Sequence, residues 1–182
     1  MSARDEFPRT TCACDVCRAG CLTQPGMVGS GDLDRIVEYC GADANRKRFI
    51  ALEFCASEGA KVARIGTYGI ETFRIPTIVP RQTADGRCTF LDRDGRCAIH
   101  PVAPIGCSHC DTHTPRAAGG NDVMHAALVE IMGDEAYQRD HAALLAAGSV
   151  ARPLAERKIA YARLEAEIRE KLAASGQETP QV

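Results

Sequence analysis

The feature that most constrains this chain is a run of four cysteines within ten residues: Cys12, Cys14, Cys17 and Cys21. A cysteine used only for packing acts as a small hydrophobic residue and has no reason to crowd beside Asp, Arg and Gly. A second thiol-rich stretch lies far downstream and contains Cys88, Cys97, Cys107 and Cys110. Thiolates are the ligands that soft metals and iron–sulfur clusters take, usually four at a time. We therefore predict that folding brings the two stretches together around metal.

The chain has ten cysteines in 182 residues, and their expected role depends on whether the compartment is oxidising or reducing. Residues 1–11 are polar and lack the apolar core of a signal peptide. The longest purely apolar run, residues 142–147, is too short to cross a bilayer. We expect a cytoplasmic protein without a membrane partner, and the net charge of −2 indicates no basic surface for nucleic acid. In a reducing compartment, crowded cysteines indicate metal binding more often than disulfides or unligated redox thiols.

The spacing of the cysteines suits both zinc and a 4Fe–4S cluster. Gaps of two and three residues separate Cys14, Cys17 and Cys21, so successive thiolates can wrap one centre at little loop-closure cost. Cys107 and Cys110 form a second short-gap pair, and two such pairs are typical of zinc sites. The additional thiols slightly favour iron–sulfur, although the order of the gaps matches neither common ferredoxin pattern. Eight thiols allow two four-thiolate sites, or one cluster with further structural ligands, and spacing alone leaves this division open.

Other polar residues near the second stretch are weaker candidates. Three histidines lie there: His100, His109 and His113. The gap between the last two fits zinc, but each histidine alone more often lies on the surface or hydrogen-bonds a ligand. Asp111 is a candidate general base for a catalytic zinc. Cys40 and Cys55 stand singly in apolar helical patterns, which favours a packing role for both.

The hydrophobic pattern predicts an α+β protein with an irregular cysteine-rich core and a short hairpin. Helices are expected from Ser30 or Asp32 to Cys40 and over residues 44–57, where Leu52 would be buried. Short irregular strands are expected between residues 61 and 82. The turn Asp92-Arg93-Asp94-Gly95 is expected to place Cys97 opposite Phe90 and diagonally next to Cys88.

The C-terminal part of the chain is predicted to be helical. Helices are expected over residues 122–145, with a break at Gly133-Asp134, and over residues 153–174. We therefore divide the chain into a cysteine-cluster domain, residues 1–118, and a helical extension, residues 119–182. The apolar stripe of the extension predicts packing on the first domain, or a contact with a partner helix or a dimer mate.

The order of these motifs resembles the YkgJ-type cysteine-cluster family. The matching residues are Cys14-x2-Cys17-x3-Cys21, Pro25-Gly26, Asp32-Leu33-x-Arg35-Ile36 and the run from Cys88 through Cys97, His100 and Pro104 to Cys107. The resemblance covers residues 12–110 and implies a small domain that chelates zinc or iron, with the matching cysteines as ligands. The chain departs from the family where Arg18-Ala19-Gly20 separates Cys17 from Cys21, so that Cys12 can supply the displaced fourth thiol. It departs again at Ala103, where the family usually has Arg.

We expect a metal-binding protein that holds an iron–sulfur cluster or zinc. Its expected work is electron transfer or assistance to a metalloenzyme, with that enzyme or a redox protein as partner. Two alternatives stay open, a metal-dependent or thiol-redox enzyme and a structural zinc module that binds a partner. An enzyme is the less favoured reading because the chain has no thioredoxin context, phosphate loop, serine elbow or HExxH motif.

Overall fold

The computed structural model of the protein describes residues 15–67, 69–109 and 120–176. Within these ranges, seven α-helices surround one antiparallel hairpin, which confirms the predicted α+β class. The elements in chain order are α1 (Asp15–Thr23), α2 (Asp32–Tyr39), α3 (Arg46–Glu53), β1 (Phe54–Gly66), β2 (Gly69–Pro80), α4 (Ile105–His109), α5 (Gly120–Gly133), α6 (Glu135–Ala146) and α7 (Leu154–Ala174). Between β2 and α4 the chain runs through turns, isolated bridges and a short 3-10 helix, His100–Val102.

The hairpin of β1 and β2 corrects two predictions. Strand pairing begins at Phe54 with Pro80, so the helix predicted to reach residue 57 ends at Glu53, and Leu52 is 56% exposed instead of buried. The strands are long and regular apart from one shift between Ser57 and Ala60, not short and irregular. Prolines are tolerated in β2 because each strand of a two-stranded sheet has an edge without a strand partner.

One hydrophobic core draws on both sides of the predicted boundary at residue 118. Phe54, Ile36 and Ile78 belong to the same buried cluster as Ile131 and Leu144, which come from α5 and α6. Three aromatic rings, those of Phe49, Phe54 and Phe90, pack in this cluster with centroids 5.5–6.3 Å apart. Helices α5 and α6 are therefore part of the packing that holds the hairpin, while the division into two domains stays a prediction.

The C-terminal helices follow the predicted pattern closely. The expected break is present, since α5 ends at Gly133 and Asp134 caps α6 by accepting a hydrogen bond from the Tyr137 N–H at 3.0 Å. Helix α7 packs on α1 and β1, and its buried Arg157 donates to Ser57 Oγ at 3.0 Å. A dimer contact through this helix stays a prediction. Of the helices that the structure describes, not one combines the length and apolar character needed to cross a membrane.

Candidate metal centre

Helix α1 carries Cys21 directly onto the segment that contains Cys88. The backbone N–H of Cys88 donates to the carbonyl oxygen of Cys21 at 2.7 Å. The side-chain amide of Gln82 donates to the carbonyl of Thr23 at 2.8 Å. Carbonyls in the last turn of a helix have no partner within the helix, so these two bonds satisfy two of the carbonyls at the end of α1. The first and second thiol-rich stretches therefore meet at Cys21 and Cys88.

Cys97 reaches the same region through the predicted turn. The Gly95 N–H donates to the carbonyl of Asp92 at 3.1 Å, and the Arg96 N–H donates to the Asp92 carboxylate at 2.7 Å. The second bond includes Arg96 in the turn, which therefore has five residues, 92–96, instead of the predicted four. Cys97 consequently lies opposite Leu91, and the predicted pairing with Phe90 is wrong by one residue.

Cys107 lies at a close crossing of two backbone segments. A Cβ on Gly26 would lie 2.1 Å from the backbone nitrogen of Cys107, and one on Gly106 would lie 2.2 Å from that of Met27. Only glycine allows backbones to approach so closely. The Gly106 N–H also donates to the carbonyl of Met27 at 2.9 Å. The half-buried Cys107 is therefore held beside the loop that follows α1.

A buried carboxylate, which the sequence analysis did not single out as functional, holds the two backbone segments at this crossing. Asp32 is 1% exposed, and its Oδ2 accepts hydrogen bonds from the N–H groups of Gly29 at 2.7 Å and Ile105 at 2.8 Å. Its Oδ1 pairs with Arg35, so the buried charge is compensated. The sequence predicts that the helix starts at Ser30 or Asp32, either of which would cap it; α2 does start at Asp32, but Gly31 is its N-cap and makes no side-chain cap bond. The sequence does contain a signal for this ion pair, because Asp32 and Arg35 have the i,i+3 spacing that brings two side chains together on a helix.

The thiol of Cys88 has two electrostatic neighbours, the thiols of Cys21 and Cys97. Burial raises the pKa of the Cys88 thiol to about 12; a backbone hydrogen bond from Phe90 lowers it, and Cys21 and Cys97 raise it further. Burial is also the main cause of the raised pKa of Cys97. Because a second thiolate beside the first is costly, thiols in such a place stay protonated until a cation compensates their charge.

The described side chains do not complete a ligand set by themselves. Among them, no group of three or more His, Cys, Asp or Glu is placed to hold a metal ion. Cys17 is described only in its backbone, one helical turn before Cys21 on α1, and His109 only in its backbone on α4. The other candidates lie outside the described residues: Cys12, Cys14, Cys110, Asp111 and His113. Their predicted roles stay predictions.

Two further cysteines lie elsewhere in the fold. Cys55 is buried in β1, where it accepts a hydrogen bond from Ser149 Oγ at 3.6 Å, in keeping with its predicted packing role. Cys40 is exposed at the end of α2, so a packing role is wrong for this residue. Of the cysteines whose side chains are described, none forms a disulfide.

Comparison with known proteins gave no relative: no family model, curated protein or solved structure matches the chain. The resemblance to the YkgJ-type family therefore stays a prediction that rests on the order of the motifs.

Proposed function

We propose that the protein binds a metal centre through thiolates from both cysteine-rich stretches. The observation that carries the proposal is centred on Cys88, from the second stretch: it is hydrogen-bonded through its backbone to Cys21, from the first stretch, and its thiol has those of Cys21 and Cys97 as electrostatic neighbours. A donor set made of thiols suits zinc or an iron–sulfur cluster and does not suit magnesium or calcium. The remaining ligands are assigned to the other cysteines of the two stretches, of which Cys17 is the nearest along α1.

An iron–sulfur cluster is the slightly preferred occupant, with zinc as the alternative. When bound, a cluster would supply a one-electron couple, and the protein would serve as an electron carrier or as an accessory to a metalloenzyme. The thiol count supports this choice, whereas the YkgJ-type motif order is compatible with both zinc and iron. The proposal includes a cytoplasmic location, because thiols that must bind metal need a reducing compartment.

A structural zinc site is the second candidate, and one observation favours it. Residues 81–104, which contribute Cys88 and Cys97, are held by turns and isolated bridges between β2 and α4. A metal that joins these thiols to α1 would cross-link a segment with little regular structure of its own. Such a site contributes directly to folding stability.

Metal analysis of cysteine variants tests the proposal. The protein is purified without oxygen, and iron, zinc and acid-labile sulfide are measured per chain. We expect Cys88→Ala and Cys97→Ala to lose the metal. Cys55→Ala is the matched control, since Cys55 is 4% exposed and Cys88 6%, and it should keep the metal, as should Cys40→Ala. If the first two variants retain the full metal content, the proposed ligand set is wrong.

The same protein distinguishes the two candidates. A carrier should show visible charge-transfer absorption and a reversible redox couple. A structural zinc site should be colourless, and a chelator should abolish the cooperative unfolding transition.

A further inference from the structure

A groove of about 580 Å³ lies between α1, the Asp92–Gly95 turn and α7. Its apolar wall combines side chains from all three elements: Leu22, Leu91, Leu164, Ile168 and Leu172. The volume is within the range typical of small-molecule sites, which runs from roughly 300 to 1,000 Å³. Among the side chains that the structure describes, no thiol lines the groove. Leu22 directly follows the candidate ligand Cys21, and Leu91 is the bridge partner of Cys97. The groove therefore backs onto the candidate metal centre without being part of it.

The charges around the groove are predominantly positive. Four cations line it, Arg18, Arg87, Arg93 and Lys171, and the described residues supply two carboxylates against them, those of Asp15 and Asp94. The ion pair between Arg18 and Asp15 is a weak one, because Arg18 Nη1 lies 3.8 Å from Asp15 Oδ1. The groove therefore has an unbalanced positive charge beside an apolar wall.

Arg18 is held in place but retains hydrogen-bonding capacity. A Cβ on Gly95 would lie 3.3 Å from Arg18 Nη1, which shows that the guanidinium rests against the turn. Its Nε is buried and makes no hydrogen bond with any residue that the structure describes. The side chain as a whole is 32% exposed, so the planar donors available to a carboxylate are those of its Nη groups.

From this combination we propose that the groove binds a small amphiphilic anion, with an apolar body on the leucine wall and a carboxylate or similar acidic group at Arg18 and Lys171. The wall accounts for the apolar body, and the excess of cations accounts for the anionic group. The site goes beyond the proposed metal function and does not depend on it. Its affinity should fall as salt concentration rises, because the cations are partly exposed.

Fluorescence titration with anilinonaphthalene sulfonate, an aromatic anion, tests the site. The chain has no Trp, so the signal comes from the probe without a tryptophan background. We expect saturable binding at one site and displacement by decanoate. Decanol, which lacks the charge, and acetate, which lacks the apolar body, should each compete much more weakly. Equal competition by decanol and decanoate would overturn the proposal.

Paired variants on α7 locate the binding site. Lys171→Gln should weaken probe and decanoate binding about three- to tenfold, while Lys158→Gln, an exposed position earlier on the same helix, should leave it unchanged. Ile168→Ser should weaken binding about tenfold, and Ile159→Ser, at a residue 70% exposed, should not. Lys171 is exposed, so its substitution tests the site without disturbing the fold. Binding that is unchanged in Lys171→Gln would place the probe elsewhere and refute the assignment.

Discussion

The carboxylate of Asp32 lies between two amide groups, those of Gly29 and Ile105, of which the second is 73 residues away in the sequence. One oxygen accepts both hydrogen bonds, and the other pairs with Arg35. A neutral amide of the same shape cannot accept both bonds and also neutralise the guanidinium. The position of Cys107, two residues after Ile105, therefore depends on one ionised side chain.

Asp32→Asn is expected to lower the free energy of unfolding by about 1–3 kcal/mol, because an amide that keeps both backbone bonds turns its NH2 group toward the half-buried Arg35 guanidinium, which loses its carboxylate partner. Urea denaturation measures the change. The control on the same helix is Asp34→Asn, which removes an exposed partner of Arg46 and should cost less than about 1 kcal/mol. A similar loss in both variants would show that Asp32 has no special role.

At the scale of secondary-structure elements, the Gly133–Asp134 break shows how a short polar motif positions a helix. Burial by itself would raise the pKa of Asp134, but hydrogen bonds from Ser30 and from the N–H groups of Tyr137 and Ala136 outweigh it, so the pKa is lowered. The ionised cap stabilises the start of α6, which carries Tyr137 and Leu144 into the core.

The lowered pKa of Asp134 predicts the sign of a pH effect. The cap contributes its full stabilisation above the ordinary pKa of an aspartate, and that contribution is lost as the pH falls through the lowered folded-state pKa. Asp134→Ala should cost about 1 kcal/mol at neutral pH, and the difference from wild type should shrink in acid. Urea unfolding across this pH range is the measurement. Asp134→Asn keeps an uncharged cap, so a difference between Asp134→Asn and Asp134→Ala that shrinks in acid would contradict the explanation.

Two element-level predictions failed because tertiary contacts outweighed local pattern. Residues 54–57 continue an apolar helical repeat, yet Phe54 and Ala56 pair with β2, and Ala56 also exchanges backbone hydrogen bonds with Ser149 and Ala151. A window of a dozen residues contains no information about these partners. The predicted register near Cys97 was wrong for a local reason. The Arg96 N–H donates a hydrogen bond to the Asp92 carboxylate, and the turn is one residue longer than expected.

At the scale of the whole molecule, Tyr137 connects three parts of the chain. Its hydroxyl accepts a hydrogen bond from the Ile78 N–H at 2.6 Å and donates to the carbonyl of Val28 at 3.0 Å. Burial raises the pKa of this phenol, so the hydroxyl stays neutral and can do both. The loop after α1, the hairpin and α6 therefore share one buried polar link.

Tyr137→Phe should destabilise the protein by about 1–3 kcal/mol, because it leaves a buried amide N–H and a carbonyl without a partner. Thermal and urea unfolding followed by circular dichroism measure the loss, and one cooperative transition should persist. Tyr39→Phe, at a residue 51% exposed, should change stability by less than about 0.5 kcal/mol. Equal effects in the two variants would refute the link.

The sequence by itself determined the fold class, the positions of α2 and of the C-terminal helices, and the candidate thiols, since these follow from local periodicity, turn chemistry and residue type. The tertiary structure alone decided that Cys21 lies against Cys88, that Gly26 and Gly106 bring Cys107 beside the loop after α1, and that a cationic groove forms between α1 and α7. These features join residues far apart in the chain, and short-range patterns carry no signal for such contacts. The opening run of cysteines thus predicted metal binding, and the fold placed Cys21, the member of that run whose side chain is described, against Cys88.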